Sequence, residues 1–298
     1  MNKQALAGLG IRTGVVRDIN TGYILAYDPK LEEEEEYYTN VFKWGAGSFQ
    51  GGARNFCAHT CCIIYRPQLA LVLLAASGHY GIVSQQSKLA GNIFDDSQPP
   101  PKHPRYGDIR SVSKIGGKAY AVGFEGMVYR LDELTKWMRI DEGLPRTFDI
   151  EAIRGFDATD IYAVGYLGEL WHFNGQKWTK RELPTNVNLS TVKCAEDGTV
   201  YIGGHDGMLI RGREDTWEII DHGETTDDVW GVEWFEGQLY VSTMSAVYRL
   251  KKEELEPVDF GDDPPKSCYQ LSAAKGVMWS IGEYDIMSFD GKTWSRVV

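Results

Sequence analysis

The chain has 298 residues, 43% of them hydrophobic and 24% charged, which supports a packed core and excludes a disordered chain. Its formal net charge of -11 argues against general nucleic-acid binding, which needs Lys and Arg to neutralise phosphates, and favours a basic partner. The five cysteines are unevenly spread, and residues 1–10 lack the pattern of an export signal. These features predict a cytoplasmic protein without a membrane segment.

The first hundred residues contain several short apolar segments that read as strands. Residues 22–27, 38–44, 57–66, 69–77 and 82–84 have this character. Two insertions, residues 32–36 and 45–52, separate the first of them, and the first insertion is a run of five glutamates. A solvated loop is the plain interpretation of that run, and an acidic arm for a basic partner is the alternative. A Pro-rich stretch, residues 99–104, leads into the second half.

The second half repeats one strand about every 40 residues. Its aromatic residues are Tyr120, Tyr162, Tyr201, Tyr240 and Trp279, spaced by 42, 39, 39 and 39 residues. Most of these strands are followed by a Gly-x-x-Gly turn, a second strand, and a third strand that contains a tryptophan (Trp137, Trp178, Trp217 or Trp294). An earlier strand precedes each of them and is opened by a small polar residue: Asp108, Asp149, Asn188, Asp228 or Ser267.

The repeating unit is therefore four antiparallel strands, a to d, as in the blades of a β-propeller. Five units are clear after residue 105, and the first hundred residues supply two weaker ones, with 22–27 as strand c and 38–44 as strand d of the first. The sequence predicts one all-β domain with seven blades at about 1–47, 53–98, 105–141, 145–183, 187–221, 226–260 and 267–298. Six blades with an N-terminal extension is the alternative.

The segment from Asp160 to Trp178 resembles bacterial propeller repeats of the WD40-like and Asp-box kinds. Ser288–Trp294 is similar to an Asp-box turn, one residue shorter than the usual spacing, and the Gly-His and Trp-Asp pairs of ordinary WD40 repeats do not occur. Asp boxes are structural turns, so the resemblance implies an architecture and no chemistry.

Few residues suggest chemistry. Cys57, His59 and Cys61 alternate on one strand and could offer soft ligands to zinc, although buried small residues in a strand are the plainer interpretation. A sialidase-like enzyme would need clustered arginines, for which Arg54, Arg105, Arg110, Arg130 and Arg154 are the candidates. Nucleophile-elbow and Walker motifs do not occur. The sequence predicts a non-enzymatic protein with no metal and no cofactor.

Propeller geometry places the b–c turns and the d–a connections on one side of the disc. The b–c turns contribute His79, Tyr80, Phe124, Glu125, Tyr166, Leu167, His205, Asp206, Met244, Glu283 and Tyr284. The d–a connections contribute Asp141, Glu142, Asp227, Asp262 and Asp263. Recurrent aromatics among carboxylates are typical of surfaces that bind basic proteins, so these residues form the predicted partner-binding face.

These features favour a monomeric protein that binds another protein, without nucleic acid or membrane. The leading hypothesis is an immunity-type protein that neutralises a bacterial toxin by covering its active site. A propeller enzyme or carbohydrate-binding module is the first alternative, with Arg110, Glu151, Trp230 and Tyr269 at the channel mouth. An assembly scaffold is the second.

Overall fold

The computed structural model describes residues 6–33, 38–45, 47–54, 56–98 and 108–298. Within them, seven antiparallel sheets of four strands each follow one another along the chain. The first strands of neighbouring sheets contact one another in a closed ring, which includes contact between the last sheet and the first. The protein is a seven-bladed β-propeller, as the repeat predicts.

The strands follow the chain in groups of four. Blades 1 and 2 comprise β1 (Gly10–Asp18), β2 (Thr21–Tyr27), β3 (Thr39–Gly45), β4 (Ser48–Arg54), β5 (Ala58–Ile64), β6 (Ala70–Ala75), β7 (His79–Val83) and β8 (Lys88–Asn92). A two-residue strand, β9 (Ser97–Gln98), then pairs in parallel with the outer edge of blade 3. Blades 3 and 4 comprise β10 (Ile109–Ile115), β11 (Lys118–Gly123), β12 (Met127–Glu133), β13 (Lys136–Arg139), β14 (Ile150–Asp157), β15 (Asp160–Gly165), β16 (Leu170–Phe173) and β17 (Trp178–Arg181).

Blades 5 to 7 continue the same order. They comprise β18 (Leu189–Cys194), β19 (Val200–Gly204), β20 (Leu209–Arg213), β21 (Thr216–Ile219), β22 (Gly231–Phe235), β23 (Gln238–Ser242), β24 (Val247–Lys251), β25 (Glu254–Pro257), β26 (Gln270–Ala274), β27 (Val277–Ile281), β28 (Ile286–Phe289) and β29 (Trp294–Arg296). Two short helices, α1 (Pro29–Glu33) and α2 (Ile93–Asp96), lie in connections. No helix in the described residues is long and apolar enough to cross a membrane.

The core is divided among the blade interfaces. Because side chains alternate along a strand, each blade sends one row toward each neighbour. The described residues form seven apolar clusters, one between each pair of adjacent blades. Tyr162 and Ile161 show the alternation, since Ile161 packs toward blade 3 and Tyr162 toward blade 5.

The ring closes by side-chain packing between blades 7 and 1. All four strands of blade 1 come from residues 10–54, and all four of blade 7 come from residues 270–296, so the two blades exchange no strand. The buried Trp279 of blade 7 packs edge-on against Trp44 of blade 1, with ring centroids 5.7 Å apart. The Ile11 N–H also donates to the Glu283 carbonyl at 2.7 Å.

Blade 1 differs from its predicted strand order. Residues 22–27 form strand b and residues 39–45 form strand c, while the predicted insertion at 45–52 contains the start of strand d, which runs to Arg54 rather than ending near 47. The glycines Gly51 and Gly52 hide this strand, because they break the alternation that identifies strands. A side chain at Gly51 would collide with the Val41 carbonyl oxygen, so close approach of the backbones requires glycine there.

Candidate partner-binding face

The upper face is defined as the side of the ring that contains the b–c turns and the d–a connections. In blades 3, 4 and 5 the b–c turns share one conformation, with Glu125, Leu167 and Asp206 at positive φ, each followed by a glycine at positive φ. Positive φ is unfavourable for most side chains. Each of these turns therefore holds the backbone of one non-glycine residue in a conformation that is unfavourable for it.

The small polar residue that opens each strand a explains how these turns are held. The Asn188 side-chain oxygen accepts from the Leu167 N–H of blade 4 at 3.0 Å, and its carbonyl accepts from the His205 N–H of blade 5 at 2.9 Å. Asp149 likewise accepts from Glu125 of blade 3 and Tyr166 of blade 4. Asp228 accepts from the Asp206 N–H of blade 5. One polar residue thus joins the turns of two neighbouring blades.

Blades 3 and 4 form the first aromatic cluster of the upper face. The Phe124 and Tyr166 rings lie 5.8 Å apart, and the Arg110 guanidinium lies 5.2 Å from the Phe124 ring centre. Arg110 also donates from two nitrogens to the Glu151 carboxylate, at 3.1 Å each. Leu167 stands at the edge of the cluster with 73% of its surface exposed.

Two further clusters of apolar residues lie on the upper face. His205 and Trp230 lie 5.9 Å apart between blades 5 and 6, and the exposed Met244 occupies the next turn. Between blades 7 and 1, the hydroxyls of Tyr27 and Tyr284 both donate to Glu283, at 2.7 and 2.9 Å. Burial and the neighbouring Glu283 carboxylate raise the pKa of Tyr27 to about 12.

The predicted carboxylates divide into two groups. Some are engaged within the protein: Glu125 pairs with Arg146, Asp141 with Arg139, Asp263 with Arg296, and Glu283 with the two tyrosines. The others make no ion pair with a described residue: Glu142, Asp206, Asp227 and Asp262. This second group is exposed, and it is the part of the acidic surface that a basic partner would meet without competition from an internal cation.

Blade 2 departs from the predicted face. Tyr80 is only 1% exposed and donates to Asp96 at 2.5 Å, so it is a core residue of strand β7. The strand register of blade 2 aligns Gly78 with the second glycine of the b–c turns in the other blades. Ala76 and Ser77 are therefore the tip residues of the b–c turn in blade 2. The first glycine position is Ala75, and the unbroken apolar run of β6 conceals this shift. His79 is exposed and contacts the Ser77 hydroxyl.

Two exposed residues of the upper face lie outside the predicted site. Tyr38 precedes strand c of blade 1, and Trp230 precedes strand a of blade 6, where the sequence associates it with the channel mouth instead. The d–a residues of the predicted site lie on this face, and their role in partner binding stays a prediction. The Glu34–Glu36 part of the glutamate run and the 99–104 stretch lie outside the described residues, whereas Glu32 pairs with Arg12.

The residues considered for chemistry are separated. Cys61 faces blade 1 and Cys62 faces blade 3; both thiols are buried, and burial raises the pKa of Cys62 to about 12. The described residues contain no group of three or more His, Cys, Asp and Glu side chains that could hold a metal ion. The candidate arginines do not share a ligand site. Each hydrogen-bonds a different partner: Arg110 binds Glu151, Arg130 binds Asp132, and Arg154 binds Ser113.

Solved structures with the same architecture share little sequence with this chain. The WD40 β-propeller domain of Doa1 superposes with a TM-score of 0.67 at 10% identity, over 97% of this chain and 92% of that one. YCF48, solved bound to a D1 peptide, gives a TM-score of 0.68 at 10% identity, over 93% and 90%. At such identity the likeness shows the fold alone. No family model matches the chain.

The chain is thus a seven-bladed propeller of the repeat type, with clusters of exposed apolar side chains on its upper face. A curated relative is more specific. The Immune protein Tsi7 of Pseudomonas aeruginosa is 37% identical over an alignment 298 positions long, which covers 96% of each chain. The chain belongs to the family of this immune protein.

Proposed function

We propose that this protein is an immunity protein that neutralises a bacterial toxin by binding it through the upper face. The family supports the class of function, because the relative that spans nearly the whole chain is an immune protein. The mechanism is occlusion: the upper face covers the active cleft of the toxin. The protein itself performs no catalysis in this mechanism and acts in the cytoplasm as a monomer.

The distribution of exposed apolar side chains is the observation that favours the upper face as the binding surface. Ten large hydrophobic residues are exposed in the described part of the chain. Six of them are on the upper face: Tyr38, Tyr166, Leu167, Trp230, Met244 and Tyr284. Exposed aromatics and methionine are enriched where proteins bind one another, and large side chains at the centre of an interface contribute most of the affinity.

Leu167 is the sharpest single indication. Its backbone has φ 57° and ψ 29°, a conformation that favours Gly, Asn or Asp, and its side chain is mostly exposed. Neither the turn nor the core gains from leucine at this place. A residue that costs stability and contributes no packing is typical of a binding site.

The binding test compares Leu167→Asn with the wild type against the purified toxin encoded by the neighbouring gene. We expect Leu167→Asn to weaken the complex by about tenfold or more, while the free energy of unfolding stays equal or rises by about 0.5–1 kcal/mol. Ile19→Asn is the matched control, since Ile19 is 52% exposed in a lower-face turn. Affinity is measured by calorimetry and stability by urea unfolding.

The control should bind the toxin as the wild type does. Equal toxin affinity of Leu167→Asn and the wild type would contradict the proposal that the toxin is bound through the upper face. Absence of any complex with the neighbouring toxin would contradict the proposed partner.

The partner is proposed to be basic around the surface that it presents. Glu142, Asp206, Asp227 and Asp262 are the carboxylates free to attract it. We expect the association rate to fall as salt is raised, because long-range attraction is screened, while the dissociation rate changes little. Stopped-flow mixing at several salt concentrations measures both rates.

A further inference from the structure

The interface between blades 1 and 2 differs from the others in the residue that fills its outer end. In blade 4 the cross-strand row is Ile161, Phe173 and Trp178, and Trp178 reaches blade 3, where its indole N–H donates to the Ile140 carbonyl at 2.6 Å. The same place is occupied by Phe49, Trp137, Trp217, Leu255 and Trp294 in blades 1, 3, 5, 6 and 7.

Blade 2 has a lysine in this row. Strand pairing aligns Leu71, Val83 and Lys88 with the row of blade 4, so Val83 replaces the phenylalanine and Lys88 replaces the tryptophan. The cluster between blades 1 and 2 contains no tryptophan among the described residues, whereas each of the other six contains at least one. The place that an indole ring fills in blades 3, 4, 5 and 7 therefore has no aromatic side chain in blade 2.

A cavity of about 410 Å³ lies at this interface, open toward the lower side of the ring. This volume is within the range of small-molecule sites, roughly 300–1,000 Å³. Its blade 2 wall is apolar and consists of Ile63, Leu71 and Val83. Its blade 1 wall is a cross-strand row of Tyr23, Lys43 and Gln50, with Arg17 beside it. The mouth is formed by Gln68, Leu69, Ser84, Gln85 and Gln86.

The charge of the cavity is opposite to that of the whole protein. Arg17 is engaged with Asp18 at 2.7 Å and with Thr21 at 3.1 Å. Lys43 makes no ion pair with any described residue, and the cavity lining contains no carboxylate. An anionic group would therefore find a free ammonium and the amides of the glutamines, within a protein whose formal net charge is -11.

We propose that this cavity binds a small aromatic carboxylate, with its ring in the place of the missing tryptophan and its carboxylate at Lys43. A planar ring suits the slot, because packed aromatic side chains separate the equivalent parts of other neighbouring blades. The apolar wall supplies the contact for one face of the ring. The cationic wall supplies a charge-assisted hydrogen bond to the carboxylate. The site is remote from the upper face, so the proposal is independent of toxin binding.

Calorimetric titration with indole-3-acetate tests the proposal, and neutral indole is the comparison ligand. We expect saturable binding of one molecule per chain, with indole weaker. Lys43→Met should weaken binding of indole-3-acetate by about tenfold or more, because it removes the cation that pairs with the carboxylate at the cavity. Lys177→Met, at an exposed lysine in a turn of blade 4, is the matched control and should leave the affinity unchanged.

Filling the cavity provides the second measurement. Val83→Phe and, separately, Lys88→Trp restore residues of the repeat and should abolish binding, while far-ultraviolet circular dichroism and toxin affinity remain those of the wild type. No saturable binding up to about 5 mM would overturn the proposal, since that corresponds to less than about 3 kcal/mol of affinity. Unchanged binding in a folded filled variant, or equal losses in Lys43→Met and Lys177→Met, would also overturn it.

Discussion

Single polar residues on the upper face each perform two tasks. Asn188 binds one turn through its side chain and a second turn through its backbone. Such a residue resembles a helix N-cap in its chemistry, because a short side-chain oxygen satisfies a backbone N–H that has no partner in a strand or helix. The recurrence of Asp and Asn before strand a is therefore a consequence of how neighbouring turns are connected.

Removal of this side chain should loosen the adjacent turn. For Asn188→Ala we expect the free energy of unfolding to fall by about 1 kcal/mol, since one hydrogen bond to the Leu167 N–H is lost and the backbone bond to His205 remains. Asn186→Ala, two residues earlier and exposed, is the matched control. Urea unfolding measures both variants, and equal stability of the two would contradict the bridging role.

His59 makes the stability sensitive to acid. Its ring lies next to the Arg110 carbonyl at 3.1 Å, and burial, together with repulsion from Arg110 and Arg12, lowers its pKa. The unfolded chain therefore accepts a proton at about pH 6.5, at which the folded protein still resists it. Stability from this residue is complete above that pH and is lost as the pH falls toward the lower folded pKa.

We expect His59→Gln to reduce the slope of stability against pH just below pH 6.5. The measurement is the free energy of unfolding in urea at half-unit steps from pH 7.5 to pH 5, each read on a two-state transition. Parallel curves for the variant and the wild type would show that His59 contributes no proton linkage.

At the scale of the element, each blade is completed by the side chain that its last strand places against the preceding blade. Trp294 shows the arrangement, since its ring packs 4.8 Å from Phe289 in its own sheet and 4.8 Å from Phe260 in the connection from blade 6. A blade cannot bury both of its faces alone, so these contacts join consecutive repeats into one cooperative unit.

The lysine in blade 2 is the exception, and its replacement should stabilise the protein. For Lys88→Trp we expect the free energy of unfolding to rise by about 1 kcal/mol, because the new ring fills space at the interface with blade 1. Lys177→Trp, in an exposed turn, controls for a general effect of tryptophan and should change little. A loss of stability specific to Lys88→Trp would show that the outer end of this interface cannot accept the ring.

At the scale of the whole molecule, stability depends on the closure between blades 7 and 1. Gly22 in strand b of blade 1 faces the buried Trp279 ring, and an added Cβ would lie 2.0 Å from it. Trp279 is fully buried and packed against Trp44, so it has little room to move. The two ends of the chain are therefore held together by a contact that only glycine permits.

We expect Gly22→Ala to lower the free energy of unfolding by about 2 kcal/mol or more, through overpacking at the closure. Gly52→Ala is the matched control, since it lies in a strand of the same blade and an added Cβ would meet nothing within 4 Å. Thermal unfolding distinguishes them, and equal melting temperatures would show that the closure tolerates the extra atom.

The fold was accessible to sequence reasoning because it is periodic. The steps of 39 to 42 residues between Tyr120, Tyr162 and their equivalents are set by a unit that cannot stand alone, so repetition implies a closed ring. The predicted bounds of strands and turns were wrong where the local sequence pattern was weak. Gly51 and Gly52 disguised a strand, and Ala75 in place of glycine shifted one turn by three residues.

The sequence by itself determined the propeller and the sign of its charge, because these depend on local pattern and on composition, and it favoured seven blades over six. Tertiary structure alone decided which of the predicted residues are exposed and unpaired, and so available to a partner. Tyr80 became a core residue, Asp141 and Asp263 became partners of arginines, and Trp230 joined the upper face. Exposure and pairing depend on neighbours that are distant in the chain, since each blade contributes only half of every interface. For the same reason, the cavity next to the blade 2 row that contains Lys88 becomes visible only when blade 1 is packed beside blade 2.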